Sequence, residues 1–502
     1  MSLISLGFLT MIGISALLYY LLPGRMQWKI LLLASCLFYC TFGFRTIGYI
    51  IVTSITVFFA ARRLETMERG KQRKRLLQLT LLLNIGLLAF VKYTNFLTQN
   101  LDSLLNKVNA PFTIPGMHIL LPIGISFYTF QSVGYLLDVY WKKDKAQQNF
   151  FRFALFVSFF PQIIQGPISK HRELAPQFEK IHTFQMRNLK FGCQLMLWGY
   201  FKKLVIADTI GIAANTVLFH PADYTGLTVI AGILAYCVQL YCDFSGGIDV
   251  IRGCALIFDI DLIDNFKRPF FSQSIAEFWR RWHITLGIWM KDYVFYPMAL
   301  SKKMNRLGKR CQKIFGKTIG RKLPICLENI IIFFLVGVWH GASWHFIIYG
   351  LYNGFIIAIS SLLEPVYQSL YKLTRINPKS FIMRIYRTLL TFILVNIGWY
   401  FDNVRSLKDS LILIKNTFLP NNTFYDGVTY LGLFKYQYLY VAFGCLLLFI
   451  VSILQERGIK IREQIDRLPM PVKWCIWLAL IFVIPLMGLD PKSSGGFMYA
   501  NF

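Results

Sequence analysis

A stretch of 35 residues, 329–363, contains no lysine, arginine, aspartate or glutamate, and basic segments flank it on both sides. At about 1.5 Å per residue it would form about 50 Å of helix, enough for two legs of about 25 Å each. Basic loops collect on the cytoplasmic side of membrane proteins. Because 301–322 and 372–387 are both basic, we predict that the chain enters a membrane and returns to the same side, with its turn near 339–343, WHGAS.

The composition also indicates a membrane protein. The 502 residues are 55% hydrophobic and only 16% charged, with a mean hydropathy of +0.49, whereas soluble proteins carry about 25% charged residues. We therefore predict an all-α, polytopic integral membrane protein with about 11–14 transmembrane, re-entrant and interfacial helices. The apolar runs predict helices near 4–22, 30–44, 47–60, 76–92, 118–137, 150–165, 188–206, 225–241, 244–258, 329–339, 344–363, 388–402, 437–454 and 474–489. The first of these is interpreted as a retained helix and not as a cleaved signal peptide.

The net charge of +28 lies mainly in short loops between apolar runs. Seven basic residues fall in 61–75, nine in 301–322, and five each in 372–387 and 457–473. We interpret these loops as cytoplasmic, which disfavours nucleic acid as a partner and places both chain termini outside the cytoplasm. The ten cysteines lie mostly in apolar runs and form no CxxC pair, so we assign neither a metal site nor a disulfide.

A second apolar run, 150–165, is also flanked by basic residues on both sides. A single crossing would leave one of these flanks outside. We therefore predict a dip into the membrane and back, with the helix ended by PQIIQGP, 161–167.

Two histidines lie inside the uncharged stretch, and ionisable groups at membrane depth are candidates for function. His340 is either a neutral core histidine bonded to a backbone carbonyl that the break at Gly341 leaves open, or a functional residue facing a cavity. His345 lies five residues further on, away from the i+4 face, and is interpreted as structural.

Segment 265–296 combines tryptophans with basic side chains, a pattern typical of an interfacial helix. That interpretation does not account for His283, which is a second functional candidate, or for Glu277 at ion-pair spacing from Arg281. The aromatic and basic residues of this segment include Trp279, Arg280, Arg281, Trp282, Trp289 and Lys291.

In YCDFSGGID, 241–249, Asp243 and Ser245 lie between two apolar runs. They are either ordinary helix N-caps or part of a discontinuous helix that lines a cavity, with Asp243 paired to Arg280 or Arg281. No G-x-S-x-G elbow surrounds Ser245, which disfavours a Ser-His-Asp hydrolase.

Five ordered motifs between about 121 and 354 carry a family resemblance: LPIGISFYTFQSVGYLLDVY, FPQIIQGPI, DFSGGID, NFKRPFFSQSIAEFWRRWHITL and VGVWHGASWHFIIYGLYNG. The chain resembles the membrane-bound O-acyltransferase family, in particular its bacterial alginate and peptidoglycan O-acetyltransferases, with teichoic-acid D-alanyltransferases as more distant relatives. The resemblance implies helices around a central channel. We divide the chain into N-terminal transmembrane helices at 1–117, a catalytic core at 118–363, and C-terminal helices with an extracytoplasmic aromatic tail at 364–502.

The resemblance also implies site residues. The near-invariant histidine of the family falls on His340 and the second catalytic position on His283, while Asn353 stands where relatives often have histidine. Further residues are expected in the channel or at the donor: Gln131, Asp243, Ser245, Trp279, Arg280, Arg281, Trp282, Trp339 and Gly341.

Acyl transfer from a thioester to a hydroxyl needs a base, and neutral imidazole suits this role because it titrates near working pH. We expect His340 to be that base, and His283 to orient the donor or polarise its carbonyl. A basic vestibule with Arg280, Arg281 and Lys291 would suit an anionic donor, either acetyl-coenzyme A or an acyl carrier protein, and no bound cofactor is expected.

The implied partners are membrane lipid, a cell-surface glycan acceptor and an extracytoplasmic acetyltransferase, at a bacterial plasma membrane. In the aromatic tail, Tyr499 is either part of an interfacial anchor or a transient acyl acceptor. Two alternatives stay open: D-alanyl transfer to teichoic acid or acylation of a lipid, and a transporter, against which the lack of an inverted repeat counts.

Overall fold

The computed structural model describes residues 1–108, 115–117, 119, 121–422, 425, 427–488 and 496–497. Within these residues every regular element is a helix, so the all-α prediction is confirmed. The described residues form two compact units. The first comprises 1–200 and 246–263 with Gly496 and Phe497, and the second comprises 201–245 and 264–488.

The first unit is built from eight helices and the last third of a ninth. Helix α1 begins where the Ser5 hydroxyl accepts a hydrogen bond from the Phe8 amide at 3.2 Å, which is an ordinary N-cap. The helices are α1 (Leu6–Leu21), α2 (Gln27–Cys40), α3 (Phe44–Thr66), α4 (Lys71–Lys107), α5 (Ile125–Tyr140), α6 (Phe150–Ser158), α7 (His171–Glu179), α8 (Met186–Tyr200) and the end of α10 (Leu227–Ile257).

Helix α6 and the turn after it correspond to the predicted dip. Asn149 caps α6 through bonds from the Phe151 and Arg152 amides at 2.9 and 3.2 Å. The helix has nine residues, about 14 Å, which is too short to cross a hydrocarbon core of about 30 Å. The chain then turns within the buried segment 159–169. A straight helical crossing by this run is therefore excluded, and its dip into the membrane stays a prediction.

The second unit contains the remaining helices. A π-helical segment, Phe201–Ala207, leads from the end of α8 into α9. The helices are α9 (Asp208–Leu218), the first two thirds of α10, α11 (Ile275–Arg281), α12 (Ile284–Met290), α13 (Tyr296–Ala299), α14 (Lys302–His340), α15 (Trp344–Thr374), α16 (Phe381–Trp399), α17 (Leu407–Thr417), α18 (Lys435–Glu456), α19 (Ile461–Asp466) and α20 (Met470–Gly488).

Helices α14 and α15 form an antiparallel hairpin whose turn is 341–343, where the charge pattern placed it. The legs are longer than predicted. After a kink at Gly316 (φ 76°), residues 317–340 continue as helix, about 36 Å, enough to cross a membrane. The two legs pack closely because Gly350 faces the Phe333 carbonyl, and a Cβ there would collide with that backbone oxygen.

Helix α10 is continuous through DFSGGID, from Leu227 to Ile257. Both interpretations of this motif, an N-cap and a broken helix, are therefore wrong. The two glycines lower intrinsic helix propensity, but burial and packing override propensity. Gly247, for example, lies directly against the buried Gln165 side chain, where a larger residue would not fit.

Eight helices of the described residues are long and apolar enough to cross a membrane: α3, α4, α10, α14, α15, α16, α18 and α20. The N-terminal helix α1 is apolar and slightly shorter. The chain is therefore a multi-pass membrane protein.

Candidate active site

His340 is the last residue of α14 and is 3% exposed. Its ring lies 5.7 Å from the Tyr349 ring at 89° and 6.1 Å from the Phe346 ring at 20°. Gly341 follows it, and a Cβ at this position would overlap the Phe346 ring. The WHG sequence thus ends the helix and leaves room for an aromatic wall beside the histidine.

His283 lies between α11 and α12, with φ 46° and ψ 51°, and is 2% exposed. The centre of its ring lies 4.9 Å from the centre of the Phe244 ring and 5.7 Å from that of the Trp339 ring. Trp339 in turn contacts His340 at 5.2 Å. The fold therefore brings the two predicted catalytic histidines, 57 residues apart in sequence, onto one tryptophan of the second unit.

Asn265 shapes the backbone around His283. Its main-chain oxygen accepts a hydrogen bond from the Ile284 amide at 3.1 Å. Its side-chain Oδ1 accepts from the amide and the hydroxyl of Thr285, both at 2.9 Å, and its Nδ2 lies 3.2 Å from His283 Nδ1. Left-handed backbone is uncommon for histidine. These bonds hold His283 in that conformation and fix its ring.

Burial, with a smaller contribution from the nearby His340, lowers the pKa of His283 to about 3. Desolvation disfavours the charged form of an imidazole. The buried ring is therefore neutral at physiological pH.

Helix α11 begins at the N-cap residue Ser274. The Ser274 hydroxyl accepts from the Glu277 amide at 3.1 Å, and the Glu277 carboxylate accepts from the Gln273 amide at 2.9 Å. Glu277 also pairs with Arg281 at 2.8 Å, as its spacing predicted, and Arg281 binds Glu456 at 3.0 Å.

The two tryptophans at the end of α11, Trp279 and Trp282, contact different residues. Trp279 donates from its ring nitrogen to Asn353 Oδ1 at 3.0 Å, so the asparagine in GLYNG supports the tryptophan. Trp282 is 2% exposed and packs on Phe278 and Trp399 at 5.4 and 5.7 Å. The intervening Arg280 is exposed, and so is Lys291 further along.

Asp243 does not have the predicted arginine partner. Its carboxylate binds Lys203 Nζ at 2.6 Å, and the same ammonium binds Asp208 at 2.6 Å, all three side chains being at most 5% exposed. Next to this triad, Lys202 Nζ donates to the Ser245 hydroxyl at 2.9 Å. The arginine prediction is wrong because Arg281 is paired with Glu277 and Glu456, while Arg280 is exposed and Asp243 is buried.

Asn265, Thr285, Phe244 and Lys203 were not selected from the sequence. The first three are ordinary residues in motif segments, and their roles depend on contacts across 18 to 39 residues. The sequence does contain a signal for Lys203. It is one of two adjacent lysines within a predicted apolar helix, and a lysine buried there needs a partner.

His345 is buried, and its Nδ1 lies 2.8 Å from the Phe401 carbonyl oxygen. This bond ties the start of α15 to the segment just after α16, as expected for a structural histidine. Gln131 is buried in α5 of the first unit, and its place at the donor stays a prediction. Tyr499 lies outside the described residues.

The family model described as "MBOAT, membrane-bound O-acyltransferase family" matches residues 142–310. The chain is similar to the probable alginate O-acetylase AlgI of Azotobacter vinelandii, with 34% identity covering 78% of this chain and 72% of the relative. It is similar to the peptidoglycan O-acetyltransferase of Helicobacter pylori, with 31% identity covering 77% and 72%. It is also similar to the teichoic acid D-alanyltransferase of Bacillus subtilis, with 29% identity covering 57% and 69%. The chain belongs to the membrane-bound O-acyltransferase family and is an O-acyltransferase.

Proposed function

We propose that this protein moves an acetyl group from a cytoplasmic thioester across the membrane for O-acetylation of a cell-surface polysaccharide. The observation that carries the proposal is the pair of buried histidines, His340 and His283, which both contact the Trp339 ring. The names of the alginate and peptidoglycan relatives support an acetyl group and a glycan acceptor.

In the proposed reaction His340 is the general base. The acceptor hydroxyl oxygen forms a bond to the thioester carbonyl carbon while its proton passes to the His340 imidazole. The carbon–sulfur bond then breaks, and the thiolate takes up that proton. No protein nucleophile is required, because the thioester is already activated. In this proposal His283 orients the donor or polarises its carbonyl.

The proposed donor is anionic, either acetyl-coenzyme A or an acyl carrier protein. The exposed Arg280 on α11 and the basic first half of α14 are the positive groups that could receive phosphates or an acidic carrier surface. The proposed direction of transfer rests on the charge pattern, from which we infer that these basic segments are cytoplasmic and that both termini are outside.

On the outer side, the acceptors would be an extracytoplasmic acetyltransferase and, through it, the surface glycan. Tyr499 would then be either an anchor or a transient acyl acceptor. Substituting it by phenylalanine separates the two, since an anchor tolerates this change and an acceptor does not.

The test measures ester-linked acetate on surface polymers of cells that produce wild-type protein, His340→Ala, His283→Ala or the control His220→Ala. His220 is an exposed histidine of the same unit. At equal membrane levels we expect both site variants to lose at least 100-fold in acetate and the control to keep it, since a positioned base contributes about 100- to 10,000-fold and a donor to the carbonyl oxygen about 100- to 1,000-fold. Full acetate in His340→Ala refutes the mechanism. Ester-linked D-alanine is measured in the same samples. If D-alanyl transfer is the activity, cells with the wild-type protein would contain more of it than cells with the site variants.

A further inference from the structure

We propose that Asn265 is a positioning residue that fixes the tautomer of His283, so that His283 acts as a hydrogen-bond donor through Nε2 and not as a base. This inference rests on the proposed acyl transfer and assigns separate chemistry to the two histidines. It follows from the hydrogen bonds around the Asn265 amide.

The first step is the orientation of that amide. The backbone N–H of Thr285 can only donate, and it points at one end of the Asn265 side chain at 2.9 Å. That end is therefore the carbonyl oxygen. The Thr285 hydroxyl lies 2.9 Å from the same atom and donates to it as well. Both lone pairs of Oδ1 are then occupied by Thr285.

The second step concerns the other end of the amide. Asn265 Nδ2 can only donate, and it lies 3.2 Å from His283 Nδ1. The same ring nitrogen lies 3.4 Å from Oδ1, a longer contact to an atom whose two acceptor positions are in use. His283 Nδ1 therefore accepts. A neutral imidazole carries one proton, which must be on Nε2.

The third step is the chemical consequence. A nitrogen that carries the proton of a neutral imidazole cannot accept a second bond, so Nε2 can donate and cannot take the proton of an attacking hydroxyl. A fixed donor suits the carbonyl oxygen of a thioester, where negative charge develops during attack. The left-handed backbone and the rings of Phe244 and Trp339 hold the imidazole in place. The base role is left to His340.

This assignment makes Asn265→Asp an informative substitution of equal size. A carboxylate keeps one oxygen for the two Thr285 donors and offers the second oxygen to His283. Because that oxygen can only accept, Nδ1 must donate, and at pH 8 the proton moves from Nε2 to Nδ1. The catalytic donor is lost without a change in volume.

The experiment is a double-mutant cycle with Asn265→Asp and His283→Gln, read as the initial rate of ester-linked acetate formation at pH 8. Glutamine places an N–H near the position of Nε2 and has no tautomer. We expect His283→Gln to retain activity within about 10-fold and His283→Ala to lose about 100- to 1,000-fold, the range for removing one such donor. Asn265→Asp should lose about 100-fold in the wild-type background and less than 3-fold in the glutamine background.

Two outcomes overturn the inference. Equal losses from Asn265→Asp in both backgrounds would show that Asn265 has only a structural role. Glutamine as inactive as alanine at position 283 would show that donation is not the function of His283. Membrane levels and detergent melting temperatures of all variants are measured alongside. The His340→Ala variant in the same series separates this inference from the proposed mechanism, since its retained activity would refute the base role of His340 and leave the donor role of His283 intact.

Discussion

Lys203 is the centre of a buried ion triad, and its removal should destabilise the second unit strongly. Both of its bonds, to Asp208 and Asp243, measure 2.6 Å, and the lysine side chain is 1% exposed. Removing one partner of a buried ion pair costs about 3–5 kcal/mol, because the remaining charge loses its compensation. Here two carboxylates lose the same partner, so Lys203→Met should reach at least the lower end of that range.

At about 1.4 kcal/mol per factor of ten, 3 kcal/mol lowers the ratio of folded to unfolded protein about 100-fold. The assay is the fraction of detergent-solubilised protein that stays monodisperse after heating, with membrane level measured in parallel. The control is Lys203→Met combined with Asp208→Asn and Asp243→Asn, which removes all three charges and should recover most of the loss. A single variant as stable as the wild type, or a triple variant no better than the single, would refute the role of charge compensation.

Two further predictions concern the same unit. The Tyr236 hydroxyl donates to Asp402 at 2.7 Å, but burial raises the pKa of Asp402 from 3.8 to about 6. The stability contributed by protonated Asp402 is present below about pH 4 and lost as pH rises through 6, at most about 3 kcal/mol. The wild-type melting temperature should therefore fall relative to Asp402→Asn between pH 5 and 8, and parallel curves would contradict this. Gly350→Val should lower membrane level several-fold by separating α14 from α15, whereas Gly86→Val, with no heavy atom within 4 Å of its Cβ position, should not. Equal behaviour of the two valine variants would contradict the close packing.

The charge pattern was sufficient to locate the hairpin turn beside His340. Two basic flanks around one uncharged stretch allow only an even number of crossings, and glycine is the natural residue at the break. The same pattern could not give the lengths of the legs. The first half of α14 is basic and kinked at Gly316, so its helical continuation has no hydrophobic signal.

The continuity of α10 could not be predicted from local sequence. An aspartate, a serine and two glycines within five residues favour a cap or a break in an isolated chain. In the fold the two polar side chains bond to Lys203 and Lys202 instead of the backbone. Those partners lie about 40 residues earlier, in a π-helical segment that no periodicity indicates.

The different environments of the two histidines depend on contacts of this long-range kind. Each follows a tryptophan, and the residue types alone do not distinguish a base from a donor. His340 lies at a helix end among aromatic rings, whereas His283 lies in a left-handed turn bonded to Asn265. The Asn265 amide nitrogen can only donate, so His283 Nδ1 must accept, and the proton of the neutral ring is therefore on Nε2. The separation of the two roles therefore depends on one amide 18 residues before His283.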